Sequence, residues 1–220
     1  IKMKKRKNII TVAIDSGAAA GAGTVAKSIA KHFNLFYLDT GKIYRFLGKL
    51  KDNNKKKFTY SLIKKKVKEL KIKDLANKSL LSDKIAVRAS IIAKDKKIRK
   101  LVKNFQTNCA YNPPKKYNGS ILDGRDITSI IIPDAMFKFF ITADVKTRAI
   151  RRFKEYKMLN KKITYTEVLK SIKNRDKSDR NRKFGKLKKT KDSTLINTSK
   201  LSKRACFLKI KLIMDRKLKA

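Results

Sequence analysis

The segment that most constrains this chain is its start. Asn8 to Ile14, NIITVAI, is a short β-branched run, the pattern of a buried parallel strand. A loop of small residues follows from Asp15 to Gly23. Thr24 to Phe33 then has helical spacing, with Val25, Ile29 and Phe33 on one face. Strand, small-residue turn and helix in that order bring a backbone of bare N–H groups to the positive end of a helix, which is a cradle for an anion. The same order opens α/β folds in which a parallel sheet is covered on both faces.

The rest of the chain continues the alternation. Leu35 to Leu38 reads as a second strand and Gly41 to Leu50 as a helix. Asp52 to Lys57 is a polar break, and from there to about Ala110 the chain is lysine-rich with helical spacing of Leu, Ile and Val. Pro113 and Pro114 mark a loop. Ser120 to Leu122 and Phe137 to Thr142 are strands, and Val145 to Met158 is a helix. Residues 160–191 are very polar, with one helical piece over Tyr165 to Asn174, the composition of a mobile lid. Leu195 to Asn197 is a last strand and Leu201 to Lys217 a closing helix.

Composition sets outer limits. A 220-residue chain with 41% hydrophobic content supports one sizeable core. No apolar run reaches membrane-spanning length, and the basic start, Ile1 to Lys7, leads into a strand rather than a signal-peptide core, so the reading is a cytoplasmic protein. Cys109 and Cys206 read as two reduced, buried thiols. One histidine, His32, and two cysteines exclude a structural zinc site. Sixty Lys and Arg against 17 acids give a net charge of +43, which attracts polyanions and argues for a monomer. The lysines are spread along the chain with few aromatics among them, so incidental binding to nucleic acid is expected rather than a dedicated interface.

Five motifs in fixed order carry a family resemblance. The loop Ser16-Gly17-Ala18-Ala19-Ala20-Gly21-Ala22-Gly23-Thr24 has the small residues of a P-loop, but Ala22 stands where its lysine is expected. Leu38-Asp39-Thr40-Gly41-Lys42-Ile43-Tyr44-Arg45 resembles the L-D-T/S-G-x-x-Y-R stretch of bacterial cytidylate kinases. Leu122-Asp123-Gly124-Arg125-Asp126-Ile127 and Pro133-Asp134-Ala135 resemble their D-G-R-D-I and P-D-A segments. Thr142-Ala143 with Arg148-Ala149 and Arg151-Arg152 resembles their A-x-x-x-x-R-A-x-R-R helix. Arg175-Asp176, Asp179 and Arg182 resemble the R-D-x-x-D-x-x-R of their lid. Thr128-Ser129, Lys186, Asn197 and Gly17 depart from the family pattern.

The resemblance implies a three-layer P-loop NTPase-type parallel sheet in a single kinase domain over 1–220. A helical CMP-binding insertion over 51–110 and a lid over 158–185 would be built onto it. The implied activity is transfer of the γ-phosphoryl group of ATP to CMP, and to dCMP. ATP would lie on Ser16 to Thr24 with Arg148 and Arg152. CMP would be held by Thr40, Tyr44, Arg45, Ser90, Arg99, Arg125, Asp126 and Asp179. Arg125, Arg175, Arg182 and Asp123 would serve catalysis. Mg²⁺ would be bound mainly through ATP and water, with Thr24 the one protein candidate. Loss of the lysine predicts a weakened rate, or rescue by Lys27, Arg148, Arg152 or a lid lysine. Two other readings stay open: a nucleotide-binding homologue that has lost catalysis, and a basic nucleic-acid-binding protein on the same scaffold.

Overall fold

A computed structural model describes residues 5–53 and 58–219. Of the basic start, residues 1–4 lie outside the described residues, as do 54–57 of the polar break and residue 220. Strand β1 spans Ile10–Ser16, and all but its first residue are buried. The β-branched run therefore becomes a central strand. Strand β2 is Leu35–Asp39, β3 Gly119–Gly124, β4 Phe137–Thr142 and β5 Thr194–Asn197. They form one sheet in the order β2-β3-β1-β4-β5, every pair parallel. The order reverses at β1. Ligands of open α/β sheets lie outside the carboxyl ends of the strands at such a switch point, here the ends of β1, β2 and β3.

Helices cover both faces. On one face α1 (Ala22–Phe33) and α8 (Lys203–Lys219) bury Val25, Ile29, Cys206, Ile210 and Met214 against Val12, Ile14, Phe139 and Ile141. On the other, α2 (Gly41–Asn53) and α5 (Lys96–Tyr111) bury Ile43, Leu47, Val102 and Ala110 against Ala13, Leu38 and Leu122. The two cysteines sit in different cores on opposite faces, both free, and burial pushes the Cys109 thiol up to about 12. His32 ends α1 edge-on to Phe33 and Phe207. Among the described residues no helix is long and apolar enough to cross a membrane.

The stretch between α2 and α5 is less uniform than its spacing predicts. Helices α3 (Tyr60–Glu69) and α4 (Asp83–Ile92) are separated by two 3₁₀ turns, Ile72–Ala76 and Lys78–Leu81. Helix α2 runs on to Asn53, because Asp52 pairs with Arg88 at 2.7 Å and Lys84 at 2.9 Å on α4, so the polar residue that reads as a break is a tether. Helix α6 spans Val145–Met158, and α7 spans Tyr165–Asn181, seven residues beyond the expected end. A capping box of Thr164 and Glu167 starts α7, and ion pairs to Arg148 on α6 and to Arg125 just after β3 hold its polar second half. Ala149, Val168 and Ile172 seal α6 against α7. A π-helical turn, Ile127–Ile131, follows β3 and was not anticipated.

Candidate active site

A loop and a cleft lie at the carboxyl ends of β1, β2 and β3. The loop joins β1 to α1. Gly21 takes the left-handed conformation (φ +89°) that a residue with a Cβ resists, and it turns the chain into α1. Ala19, at φ +58°, adopts the same region at a steric cost. The loop is braced from outside. Arg148 donates to the Ala18 carbonyl at 2.9 Å and the Ala143 carbonyl at 2.8 Å, and pairs with Asp176 at 2.6 Å. The Ala18 N–H donates to Asp176 at 3.2 Å, and Thr198, itself held by Arg151, donates to the Ala20 carbonyl at 3.1 Å. Ala22 is buried in the core under α1 and carries no charge to the loop. Thr24 is exposed in the first turn of α1. Arg152 lies on the exposed side of α6, paired with Glu155, and is not brought to the loop.

The cleft, of about 180 Å³, lies between α2, α4, the end of β3 and α7. It gathers Thr40, Tyr44, Arg45, Ser90, Arg99, Arg125, Asp126 and Asp179, together with Asp123, Arg175 and Arg182. All eight expected acceptor residues and all four expected catalytic residues thus share one wall-to-wall surface, although they come from five separate stretches of chain. Its floor is the turn after β3. Thr40 donates to the Asp123 carbonyl at 2.8 Å, and a Cβ at Gly124 would stand 2.5 Å from that hydroxyl, so only glycine fits there.

Charge in the cleft is arranged in pairs. Arg99 pairs with Asp126, donates to the Ala93 carbonyl at 3.0 Å and lies over the Tyr44 ring. Arg125 pairs with Asp179 at 2.7 Å, with Arg175 at 3.6 Å and Arg182 at 3.5 Å from the same carboxylate. Burial alone would raise Asp179, but the Arg125, Arg175 and Arg182 charges outweigh it and hold its carboxyl below the usual range. Burial, followed by the Arg125 charge, pulls Arg175 down to about 10. The Nε of Arg175 and one terminal nitrogen of Arg182 are buried without a hydrogen-bond partner. One carboxylate shared by three guanidinium groups leaves excess positive potential, the condition that captures a phosphate. Arg45 donates to the Leu80 carbonyl at 2.9 Å and the Ser82 carbonyl at 3.3 Å, tying α2 to the second 3₁₀ turn.

Asp123 links the loop and the cleft. A Cβ at Gly23, in the first turn of α1, would lie 3.3 Å from the Asp123 carboxylate and 3.3 Å from the Tyr37 hydroxyl. Burial, and then the Asp39 carboxylate beside it, push Asp123 well above the usual range. No cluster of three or more His, Cys, Asp or Glu exists among the described residues, so an all-protein metal cage is absent there. Two neighbouring carboxylates whose repulsion shows as a raised pKa suit Mg²⁺, which takes one or two carboxylates, phosphate oxygens and water. Asp39 and Asp176 were not singled out from sequence. Each lies inside a motif, Asp39 in L-D-T-G and Asp176 in R-D-x-x-D, and that membership was the available signal. Asp15, also missed, is fully buried and accepts from the N–H groups of Ile127 and Thr128 at 2.7 and 2.9 Å and from the Thr128 hydroxyl at 2.6 Å, which fixes the π turn beneath the cleft.

Comparison with known proteins identifies the family. The family model for cytidylate kinase matches residues 12–214. A cytidylate kinase of Bartonella tribocorum is 39% identical over 203 residues, spanning 89% of this chain and 90% of that one. One of Clostridium botulinum strain Hall is 37% identical over 201 residues, spanning 86% and 90%. One of Mesomycoplasma hyopneumoniae is 34% identical over 223 residues, spanning 95% of each. The crystal structure of an uncharacterized protein from Eubacterium ventriosum shares the fold, with a TM-score of 0.56 and 18% identity over 94% of this chain and 98% of that one. By the extent of these matches, this chain belongs to the cytidylate kinase family.

Proposed function

We propose that the protein transfers the γ-phosphoryl group of ATP to CMP, and to dCMP, giving ADP and CDP or dCDP. The observation that carries this reading is the cleft of five arginines and Asp126 set beside a helix-terminal small-residue loop. Phosphoryl transfer needs two mutually repelling anions brought into line and their charge spread, with little covalent help. ATP would lie along Ser16 to Thr24 on the loop amides, with Arg148 bracing the loop. Arg45, Arg125, Arg175 and Arg182 would surround the acceptor phosphate and the moving phosphoryl group. Asp179 would accept from the ribose hydroxyls, and Asp126 from the cytosine amino group, with Ser90 and Arg99 at the base edge. A uracil ring has no amino donor to offer Asp126. Thr40 and Tyr44 would line the acceptor pocket. Asp39 and Asp123 would hold Mg²⁺, which neutralises donor-phosphate charge when bound.

Arg99 is engaged with Asp126, and Arg125, Arg175 and Arg182 with Asp179, so an entering nucleotide would exchange carboxylate partners for phosphate. Each of these four arginines would keep an anion, which avoids the cost of an unpaired buried charge. The loss of one charge-stabilising donor at position 22 costs roughly 3 kcal/mol, near a hundredfold in rate. The protein would act as a cytoplasmic monomer, with polyanion binding incidental to its net charge of +43.

The test is a screen of nucleoside monophosphates with ATP and Mg²⁺, run on the natural chain and on Ala22→Lys. CMP and dCMP turnover by both, faster in the variant, supports the reading. Ala22 itself favours a second reading, a nucleotide-binding homologue without catalysis. That reading prevails if the natural chain matches a no-enzyme blank where Ala22→Lys turns over.

A further inference from the structure

Four sources of positive charge could replace the missing amine at position 22, and the structure separates them. Arg148 lies against Gly17 of the loop but spends its guanidinium on Asp176 and two carbonyls. Arg152 faces outward and pairs with Glu155. Of the lid lysines, Lys162, Lys170, Lys173, Lys177 and Lys183 are exposed and Lys161 is half-buried. None of them stands on α1 beside Gly23, the position that faces the Asp123 carboxylate. Lys27 is as exposed as the lid lysines and differs from them in its place, one turn past Gly23 on α1. It has no hydrogen bond or ion pair among the described residues. It is the one ammonium among the named charges that act on Asp123.

Helix geometry says where its side chain goes. Residues four apart share a face, so Lys27 stands over Gly23, the position that looks directly at Asp123 and Tyr37. Side chains on a helix lean toward its N-terminus, and four residues rise roughly 6 Å, about the reach of a lysine stem. Gly23 has no side chain to block that path. The stem can therefore lie back along α1 and bring its ammonium to the loop end, on the side where Asp123 stands.

We infer that Lys27 supplies to the donor phosphates the positive charge that Ala22 does not, reaching them from the next turn of α1. This rests on the kinase reading only for its catalytic consequence; anion binding at the loop is measured separately. MgATP binding is followed by titration calorimetry on the natural chain, Lys27→Met, Lys27→Arg, Ala22→Lys and the double variant Ala22→Lys/Lys27→Met. Lys27→Met should weaken MgATP by about 30-fold in the natural chain, the scale of one charge-assisted contact. In the Ala22→Lys background the same change should cost less than about threefold, because the two amines serve one role and their effects do not add. Lys27→Arg should retain most of the affinity. Equal losses in both backgrounds, or no loss in the natural chain, overturn the proposal. Turnover assays on the same proteins separate it from the kinase reading. Absent CMP phosphorylation with this binding pattern intact upholds Lys27 and removes the kinase.

Discussion

The backbone N–H of Ala18 donates to the carboxylate of Asp176 at 3.2 Å, so the lid helix is fastened to the phosphate loop by one side chain. The same carboxylate pairs with Arg148, which is buried and holds the Ala18 carbonyl. Asp176→Ala leaves that guanidinium with its two carbonyls and no counter-ion. Stability should fall by about 2–3 kcal/mol, the lower end for a broken buried pair, and the KM for ATP should rise more than that for CMP. Urea denaturation and two-substrate kinetics check both; unchanged stability would remove the fastening role.

Asp126 is the residue expected to tell cytosine from uracil. Asp126→Asn can donate as well as accept, so the ratio of kcat/KM for CMP over UMP should fall by at least about tenfold. A ratio that stays at the natural value would place base selection elsewhere in the cleft.

Gly185 closes the lid onto Arg99. It sits at φ +62°, and any Cβ there would collide with the Arg99 guanidinium. Its carbonyl accepts from Arg182 Nε. Gly185→Ala should cost about 1–2 kcal/mol in backbone strain alone and displace the lid end from the acceptor side. The expected result is a KM for CMP raised about tenfold with ATP affinity nearly unchanged.

Two buried acids set the pH behaviour. Burial pushes Asp15 up to about 6 against three opposing hydrogen bonds. A folded-state pKa above the unfolded one makes the protonated form the better folded one. Its contribution is therefore complete below about pH 4 and lost as pH rises through about 6, on the order of 3 kcal/mol. Urea midpoints between pH 4 and 7 should fall accordingly, and Asp15→Asn should flatten that slope.

Asp123 is raised by burial and by the Asp39 charge, and in the proposed reaction protons would compete with Mg²⁺ for it. The kcat/KM for MgATP should rise with pH through its titration. Asp39→Asn removes the repelling charge, so the inflection should move to lower pH. An inflection that stays in place would rule Asp123 out as the titrating group.

Much of the fold was legible because its signals are local. Strand β4 and helix α6 fall where their periodicity puts them, and the small-residue loop locates the switch point before any tertiary fact is known. What stayed hidden depends on partners distant in sequence. Asp52 reads as a helix breaker until Arg88 meets it, and the end of α7 reads as loop until Arg125 reaches Asp179. Asp15 and Asp176 stand beside or within motifs that give neither a partner; only the packing shows three donors converging on the first and a loop amide facing the second. Arg148 follows the same rule, since its motif suggested a ligand contact and its surroundings make it a brace.

Helix α7 carries Asp176 and Asp179 three residues apart, one turned to the donor loop and the other to the acceptor cleft. A helix of 17 residues, roughly 25 Å long, moves as a rod. Any free energy that one nucleotide puts into seating this rod is already spent when the other arrives. Two nucleotides that both seated it would be thermodynamically linked, each changing the other's affinity by the same factor. Cutting the link at Asp176 would leave two sites that bind as strangers.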